Sequence, residues 1–312
     1  MTRLLSFLSI VLFGGGCIKV GLDTSPADAV KTRVVAGDRS ADPQIAVIPL
    51  YGVIAMEDEG GMLASGSSIT PEGVRRMVER VAEEKQLVGV ILDINSPGGS
   101  AAASEAILRH LRDFKATRRV PVVAHFRDVA ASGGYMIAQA ADWIVANPSS
   151  VTGSIGAVIT FYSAEKLLRD KLAVEVTTIK AGRVKDIGSP FRTMTEEERG
   201  QIQRLVDEVH HRFVATVARS RKRPVAEIRA LAEGQVYTGN DALQNGLVDE
   251  TGQFEDAVAR AKRLSRVTAA KVVRYEVPRA SSGLSLSMSA AVDRLFAHVG
   301  QGAILCMWMP GR

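Results

Sequence analysis

The chain has 312 residues, 46% hydrophobic and 23% charged, the composition of a globular protein with a sizeable core in one large domain or two small ones. The net charge is +5, yet the densest basic run, Arg219-Ser220-Arg221-Lys222-Arg223, carries no interleaved aromatics; it reads as a solvated helix end or a face near anionic lipid, and no nucleic-acid partner is expected. Cys17 and Cys306 are the only cysteines, so neither a metal site nor a disulfide framework is expected, and no cofactor is called for.

In chain order, Met1-Thr2-Arg3 gives a positive start, Leu4 to Phe13 a short apolar run, and Gly14-Gly15-Gly16 small residues before Cys17. The run is shorter than the roughly 20 residues that span a bilayer. It fits an export signal, and the small residues before Cys17 are similar to the lipidation box of bacterial lipoproteins, with Gly14 where a larger aliphatic residue is usual. A simple cleaved signal and an uncleaved anchor are the other readings. Expected segments are this signal over 1–17, a polar tether over 18–43, a catalytic domain over 44–277 and an arm over 278–312.

From Ile45 the pattern alternates between strand and helix. Ile45 to Val53 reads as a strand, and Thr70-Pro71-Glu72 opens a helix with Val74, Met77, Val78 and Val81 on one face. Leu87 to Ile94 is an apolar run broken only by Gly89 and Asp93. Asn95-Ser96-Pro97-Gly98-Gly99 ends it, and a helix follows through Ile107, Leu108 and Leu111. Val120 to Phe126 and Trp143 to Ala146 read as strands, and the alternation is expected to continue with a strand over Leu172 to Ile179. Such alternation argues for parallel strands with covering helices, and for ligands at the strands' carboxyl ends. Thr195-Glu196-Glu197-Glu198 is a capping box opening a long helix, with Ile202, Leu205, Val206, Val209, Phe213 and Val217 as a core-packing or subunit-contact stripe. From about Pro278 a serine-rich stretch leads into an apolar segment reaching Pro310, read as an arm that packs on a neighbour.

The chemistry centres on Ala130-Ala131-Ser132-Gly133-Gly134-Tyr135, a serine at a glycine-rich strand-to-helix junction. Taken alone this is more readily an ordinary helix cap. It also supplies an exposed hydroxyl beside amides without intrahelical partners, the material of a nucleophile and an oxyanion hole. A serine needs a base. Of the five histidines, His110, His210 and His211 lie in helix patterns, His298 in the arm, and His125 at a strand end seven residues before Ser132. Lys185, in Gly182-Arg183-Val184-Lys185-Asp186-Ile187-Gly188-Ser189-Pro190, is the alternative, with Ser154 to orient its amine. A lysine that acts as a base must be neutral near pH 7, about 4 kcal/mol away from ordinary lysine behaviour.

Five motifs in order carry a family resemblance: Asp93-Ile94-Asn95-Ser96-Pro97-Gly98-Gly99, Ala130 to Tyr135, Thr152-Gly153-Ser154-Ile155-Gly156, Val184 to Pro190, and Gly246-Leu247-Val248-Asp249. From about Ile45 to Glu255 the chain resembles the bacterial signal peptide peptidases of the SppA family, short single-repeat type. The resemblance implies an α/β Clp-protease/crotonase-like fold, with repeated β-β-α units and a long C-terminal helical region. It implies a membrane-associated serine endopeptidase that degrades remnant signal peptides, with its catalytic domain outside the cytoplasm and ring-shaped homo-oligomers. It assigns Ser132 as nucleophile, Lys185 as general base in the same chain, Ser154 as the residue bonded to the lysine amine, and Gly133 with Gly99 as oxyanion donors. A crotonase-type enzyme acting on acyl-CoA and a non-catalytic membrane scaffold are the competing readings; an export signal argues against the first, because CoA is cytosolic.

Overall fold

A computed structural model of the chain describes residues 30–57, 68–277 and 305–307. The expected signal with Cys17 lies outside the described residues, as do most of the loop over 57–68, where pocket residues are expected, and most of the arm over 278–312.

The chain order is β1 (Lys31–Gly37), β2 (Gln44–Tyr51), α1 (Pro71–Ala82), β3 (Leu87–Ser96), β4 (Gly98–Ser100), α2 (Ala101–Arg118), β5 (Val122–Ala131), α3 (Gly133–Ala138), β6 (Trp143–Ala146) and β7 (Val151–Gly153). After a π-type turn at Leu167–Lys171 come α4 (Glu196–Arg221), α5 (Val225–Ala230), β8 (Val236–Thr238), α6 (Gly239–Gln244), β9 (Glu250–Thr251), α7 (Phe254–Ser265), β10 (Lys271–Glu276) and β11 (Leu305–Met307).

The main sheet runs β1-β10-β2-β3-β5-β6-β9, with β7 pairing β5 and β8. The pairs from β10 through β9 are parallel; β1 against β10 and β7 against β8 are antiparallel. The molecule is therefore the α/β protein with a mostly parallel sheet that the alternation called for. The near-continuous apolar run of β3 follows from burial of both its faces. On one face Leu50, Ile94 and Phe126 meet Ile107, Tyr135 and Phe213 of the covering helices. On the other, Ile45, Val47, Ile91 and Val123 pack on Ala257 and Ala261 of α7.

Local signals set the helix ends as expected. Thr70 Oγ1 accepts from Gly73 N–H at 3.0 Å, and Pro71 follows in the first turn, where its missing N–H is harmless. Glu198 and Thr195 cap α4 reciprocally.

Three readings need correction. Residues 31–37, inside the expected tether, form β1 against β10. The strand expected over Leu172 to Ile179 is not formed; these residues pair with no strand of the described chain, and Leu172, Val174, Val176 and Ile179 are exposed, so they have neither a ladder nor a covered face. The stripe on α4 divides: Val209, Phe213 and Val217 are buried, whereas Leu205 is exposed and Ile202 and Val206 are only partly covered. The helical region after Thr195 comprises α4 to α7, and between and after these helices β8, β9 and β10 return to the sheet.

Candidate active site

Ser132 terminates β5 and caps α3 with φ 53° and ψ −118°, a left-handed backbone that a non-glycine residue holds only when its surroundings impose it. Two bonds do so. Ser132 N–H donates to Gly153 O at 2.8 Å, and Ser132 O accepts from Met136 N–H at 2.8 Å. The hydroxyl makes no cap bond and has no hydrogen-bond partner among the described residues. Ser132 is buried, not exposed as expected from the sequence, because the loop after β3 and the turn after β7 close around it, and the first amides of α3, beginning at Gly133, are left without intrahelical acceptors.

The loop after β3 closes over these amides. A Cβ on Gly133 would stand 2.5 Å from Ser104 Oγ and 3.2 Å from Gly98 Cα; one on Gly134 would stand 2.7 Å from Ser96 O. Only glycines allow that approach. Gly99, at φ 152°, has its α-carbon against Ile54, whose carbonyl oxygen a Cβ would overlap. Ile54 N–H donates to Gly98 O and Ser100 N–H donates to Ile54 O, both at 2.8 Å, so residues 98–100 are extended and stapled along one edge. Gly99→Ala keeps the backbone amide but cannot keep its place against Ile54, and it is expected to lower kcat/KM for peptide cleavage by about 10²–10³, the scale for displacing a single oxyanion donor. Backbone strain adds a stability loss of about 1–3 kcal/mol, read by urea unfolding.

Ser154 joins the same locus. It is buried, holds φ 48°, and its N–H donates to Gln235 O at 2.8 Å. The preceding carbonyl, Gly153 O, is the acceptor of Ser132 N–H. The structure thus brings Ser132, Gly133, Gly99 and Ser154 to the carboxyl ends of β3, β5 and β7. The loop at Gln235, which fixes Ser154, was not legible beforehand; its only signal is Gly234, at φ 86°.

Lys185 is placed differently. It is exposed, and its amine makes no hydrogen bond or ion pair with a described residue, so it is bonded neither to Ser132 nor to Ser154 in the isolated chain. It rides on a segment between β7 and α4 whose apolar side chains, among them Val158, Tyr162, Val176, Ile179 and Phe191, face outward. The loop is nonetheless well anchored. Arg192 Nη2 donates to Asp186 Oδ1 at 2.8 Å and Arg192 Nη1 to Glu198 Oε2 at 2.8 Å, and Lys180 also pairs with Asp186. These donors hold the Asp186 and Glu198 carboxyls well below the usual carboxylate range.

One functional group of residues escaped the sequence. Asp93, fully buried in β3, receives Arg127 Nε at 3.1 Å, Arg274 Nη2 at 3.2 Å and the Tyr51 hydroxyl, and His125 Nδ1 lies 2.9 Å from its Oδ1. His125 is thereby committed to Asp93 rather than to Ser132. Burial pushes the Asp93 carboxyl up, but the bonds from His125, Tyr51 and Arg127 outweigh it and hold the group below its ordinary value. A lone carboxylate inside an apolar strand was the available signal, since buried charge requires partners. A depressed folded value contributes stability above pH 3.8, lost as the pH falls through the folded value. Asp93→Ala, which strands two guanidinium groups, is expected to cost about 3–5 kcal/mol at neutral pH and to flatten the acid limb of urea-unfolding curves below pH 4.

Comparison with known proteins gives the family. Peptidase family S49 matches residues 115–268. "Putative signal peptide peptidase SppA" of Enterococcus faecium is 35% identical over 245 residues, 78% of this chain and 70% of that protein. The chain belongs to peptidase family S49. This S49 chain is also 39% identical over 199 residues to a protein of Methanocaldococcus jannaschii named as a putative protease, covering 64% of this chain and 63%, under two thirds, of that relative. Among solved structures, a mutant of a membrane-bound stomatin-specific protease superposes with TM-score 0.48 and 16% identity, covering 79% of this chain and 100% of that one. Over most of its length the chain is thus similar to proteins named as proteases or as SppA. No helix among the described residues is long and apolar enough to cross a membrane, and no described cluster of His, Cys, Asp or Glu is arranged to hold a metal.

Proposed function

We propose that this S49 peptidase is a membrane-associated serine endopeptidase that cleaves extended apolar peptides, remnant signal peptides among them, with a Ser132–Lys185 dyad. The observation that carries the reading is the contact between Gly133 and Gly98 beside a serine held at φ 53°. Two amide-bearing turns from different strands meet beside Ser132.

Neutral Lys185 takes the Ser132 proton as Oγ attacks the peptide carbonyl. The amides of Gly133 and Gly99 receive the oxyanion. The ammonium then protonates the leaving amine, and water, deprotonated by the same lysine, releases the acyl group. Ser154 accepts a hydrogen bond from the amine and aims it. Lys185 must leave water to lose its charge, and the outward apolar side chains of its segment, with the uncovered start of α4, supply a surface that a second copy of the chain covers. A homo-oligomeric ring, whose neighbours bury that segment, completes the site. Anchoring at the membrane through a lipid on Cys17, which becomes the N-terminus once the preceding signal is removed, puts the catalytic domain on the extracytoplasmic side, where signal-peptide remnants are released.

The direct test is covalent labelling of the purified chain with a serine-protease probe across pH 5 to 10. Ser132 should be the labelled residue, and labelling should rise through near-neutral pH. A chain that stays unlabelled in its assembled form overturns the serine mechanism.

A further inference from the structure

The proposed oxyanion donor after β3 belongs to a pair of glycines, Gly98 at φ 100° and Gly99 at φ 152°. Neither has a side chain to fix it, and two glycines in succession have more backbone freedom than any other pair. The pins come from elsewhere. On one side Ile54 N–H donates to Gly98 O, and Ser100 N–H donates to Ile54 O. On the other, Gly98 N–H donates to the Ser96 hydroxyl oxygen at 3.2 Å, across Pro97, whose ring restricts its own φ. The amides of Gly98 and Ser100 are thus both engaged. Successive residues of an extended segment turn their N–H groups to opposite edges, so that of Gly99 is directed away from Ile54.

Ser96 also supports the second amide-bearing turn. It is fully buried at the end of β3, in register with Ala130 of β5. A Cβ on Gly134 would stand 2.7 Å from Ser96 O and 3.3 Å from Ser96 Cβ, so the first turn of α3, which bears the Gly133 amide, rests on Ser96. One residue therefore touches both turns, the β3 loop through its hydroxyl and α3 through its carbonyl and Cβ. We infer that Ser96 is a positioning residue for the peptidase reaction: its hydroxyl fixes the Pro97–Gly98 peptide plane and thereby sets the Gly99 amide at the spacing from the Gly133 amide that an oxyanion needs. The inference rests on the proposed peptidase function and adds to it a residue that acts only through Gly99. Spacing matters because oxyanion donors stabilise charge only where they already stand when it develops. A serine that merely satisfied a buried amide would affect stability and leave that spacing alone.

The test is steady-state cleavage of an apolar reporter peptide by the full chain, beside inhibition by a peptide aldehyde of the same sequence, whose adduct with Ser132 places an oxyanion between the two amides. Ser96→Ala should lower kcat roughly tenfold to hundredfold with KM within about twofold of the parent, the pattern of a group that acts only in the transition state. Affinity for the aldehyde should fall by the same factor as kcat, and the pH dependence of kcat should not move, because Lys185 is untouched. Ser96→Cys, with a weaker acceptor, should lie between the two. Ser265→Ala removes a hydroxyl that donates to Val88 O at 2.7 Å, at the opposite end of β3, and should leave kcat and aldehyde affinity unchanged. Parental kcat in Ser96→Ala overturns the inference, as does a rise in KM alone or a fall in kcat with aldehyde affinity unmoved. If Ser96→Ala does not fold, Ser96→Cys decides, and parental kcat there overturns the inference. A parent that neither cleaves peptides nor binds the aldehyde refutes the peptidase reading and this inference with it; a cleaving parent beside an unimpaired Ser96→Ala refutes the role of Ser96 alone.

Discussion

Ser132→Ala is expected to lower kcat/KM for peptide cleavage by about 10⁴-fold or more, the scale seen when a serine nucleophile is removed. The unfolding midpoint should barely move. The hydroxyl has no hydrogen-bond partner among the described residues, so removing it strands no donor or acceptor. The bonds that hold the turn, from Ser132 N–H to Gly153 O and from Met136 N–H to Ser132 O, belong to the backbone and survive the substitution. Alanine must adopt the same φ of 53°, so the strain is unchanged. The measurement is steady-state cleavage of an apolar reporter peptide beside thermal unfolding. Retained cleavage would show that another group attacks the carbonyl.

Lys185→Ala is expected to lower kcat by about 10²–10⁴-fold, the usual contribution of a general base, and to leave KM nearly unchanged. Lys185→Arg should be no better than alanine, because a guanidinium does not give up its proton in a protein and cannot accept one from a serine. The contrast between the two substitutions separates a base from a mere positive charge; a charge that only steers peptides would survive in arginine. Stability should be unaffected in both, since Lys185 is exposed and its amine pairs with no described residue. The anchors of its loop, Arg192 with Asp186 and Glu198, are untouched. Activity in Lys185→Arg close to the parent would overturn the dyad. Cleavage by the parent chain should also fall on dilution below the concentration at which copies associate, because the amine is stripped of water only when its segment is covered.

Much of this molecule was legible before any coordinates. Alternating apolar runs and capped helices are short-range signals, and they led directly to the parallel strands at Leu87, Val122 and Trp143 and to the caps at Thr70 and Thr195. The glycine turns at Gly98, Gly133 and Gly153 were equally visible, because a close backbone approach leaves room for no other residue. The Leu172–Ile179 stretch shows the limit of the same reasoning. Its apolar residues read as a strand, yet a strand requires an edge to pair with, and it pairs with none in the described chain.

By itself, then, the order of residues determined the class of fold, the serine at a strand-to-helix turn, the glycines around it and the membership in a peptidase family. Tertiary structure alone decided that Gly133 rests on Gly98, that His125 is bound to Asp93 and so withdrawn from Ser132, that Lys185 stands exposed on an outward-facing segment, and that residues 305–307 lie along Gly98–Ser100. The reason is the range of the forces involved. Turns, caps and periodicity are settled among residues a few positions apart, whereas the partner of a buried charge or of an unpaired strand edge is chosen by sheet register, which brings together residues hundreds of positions apart in the chain.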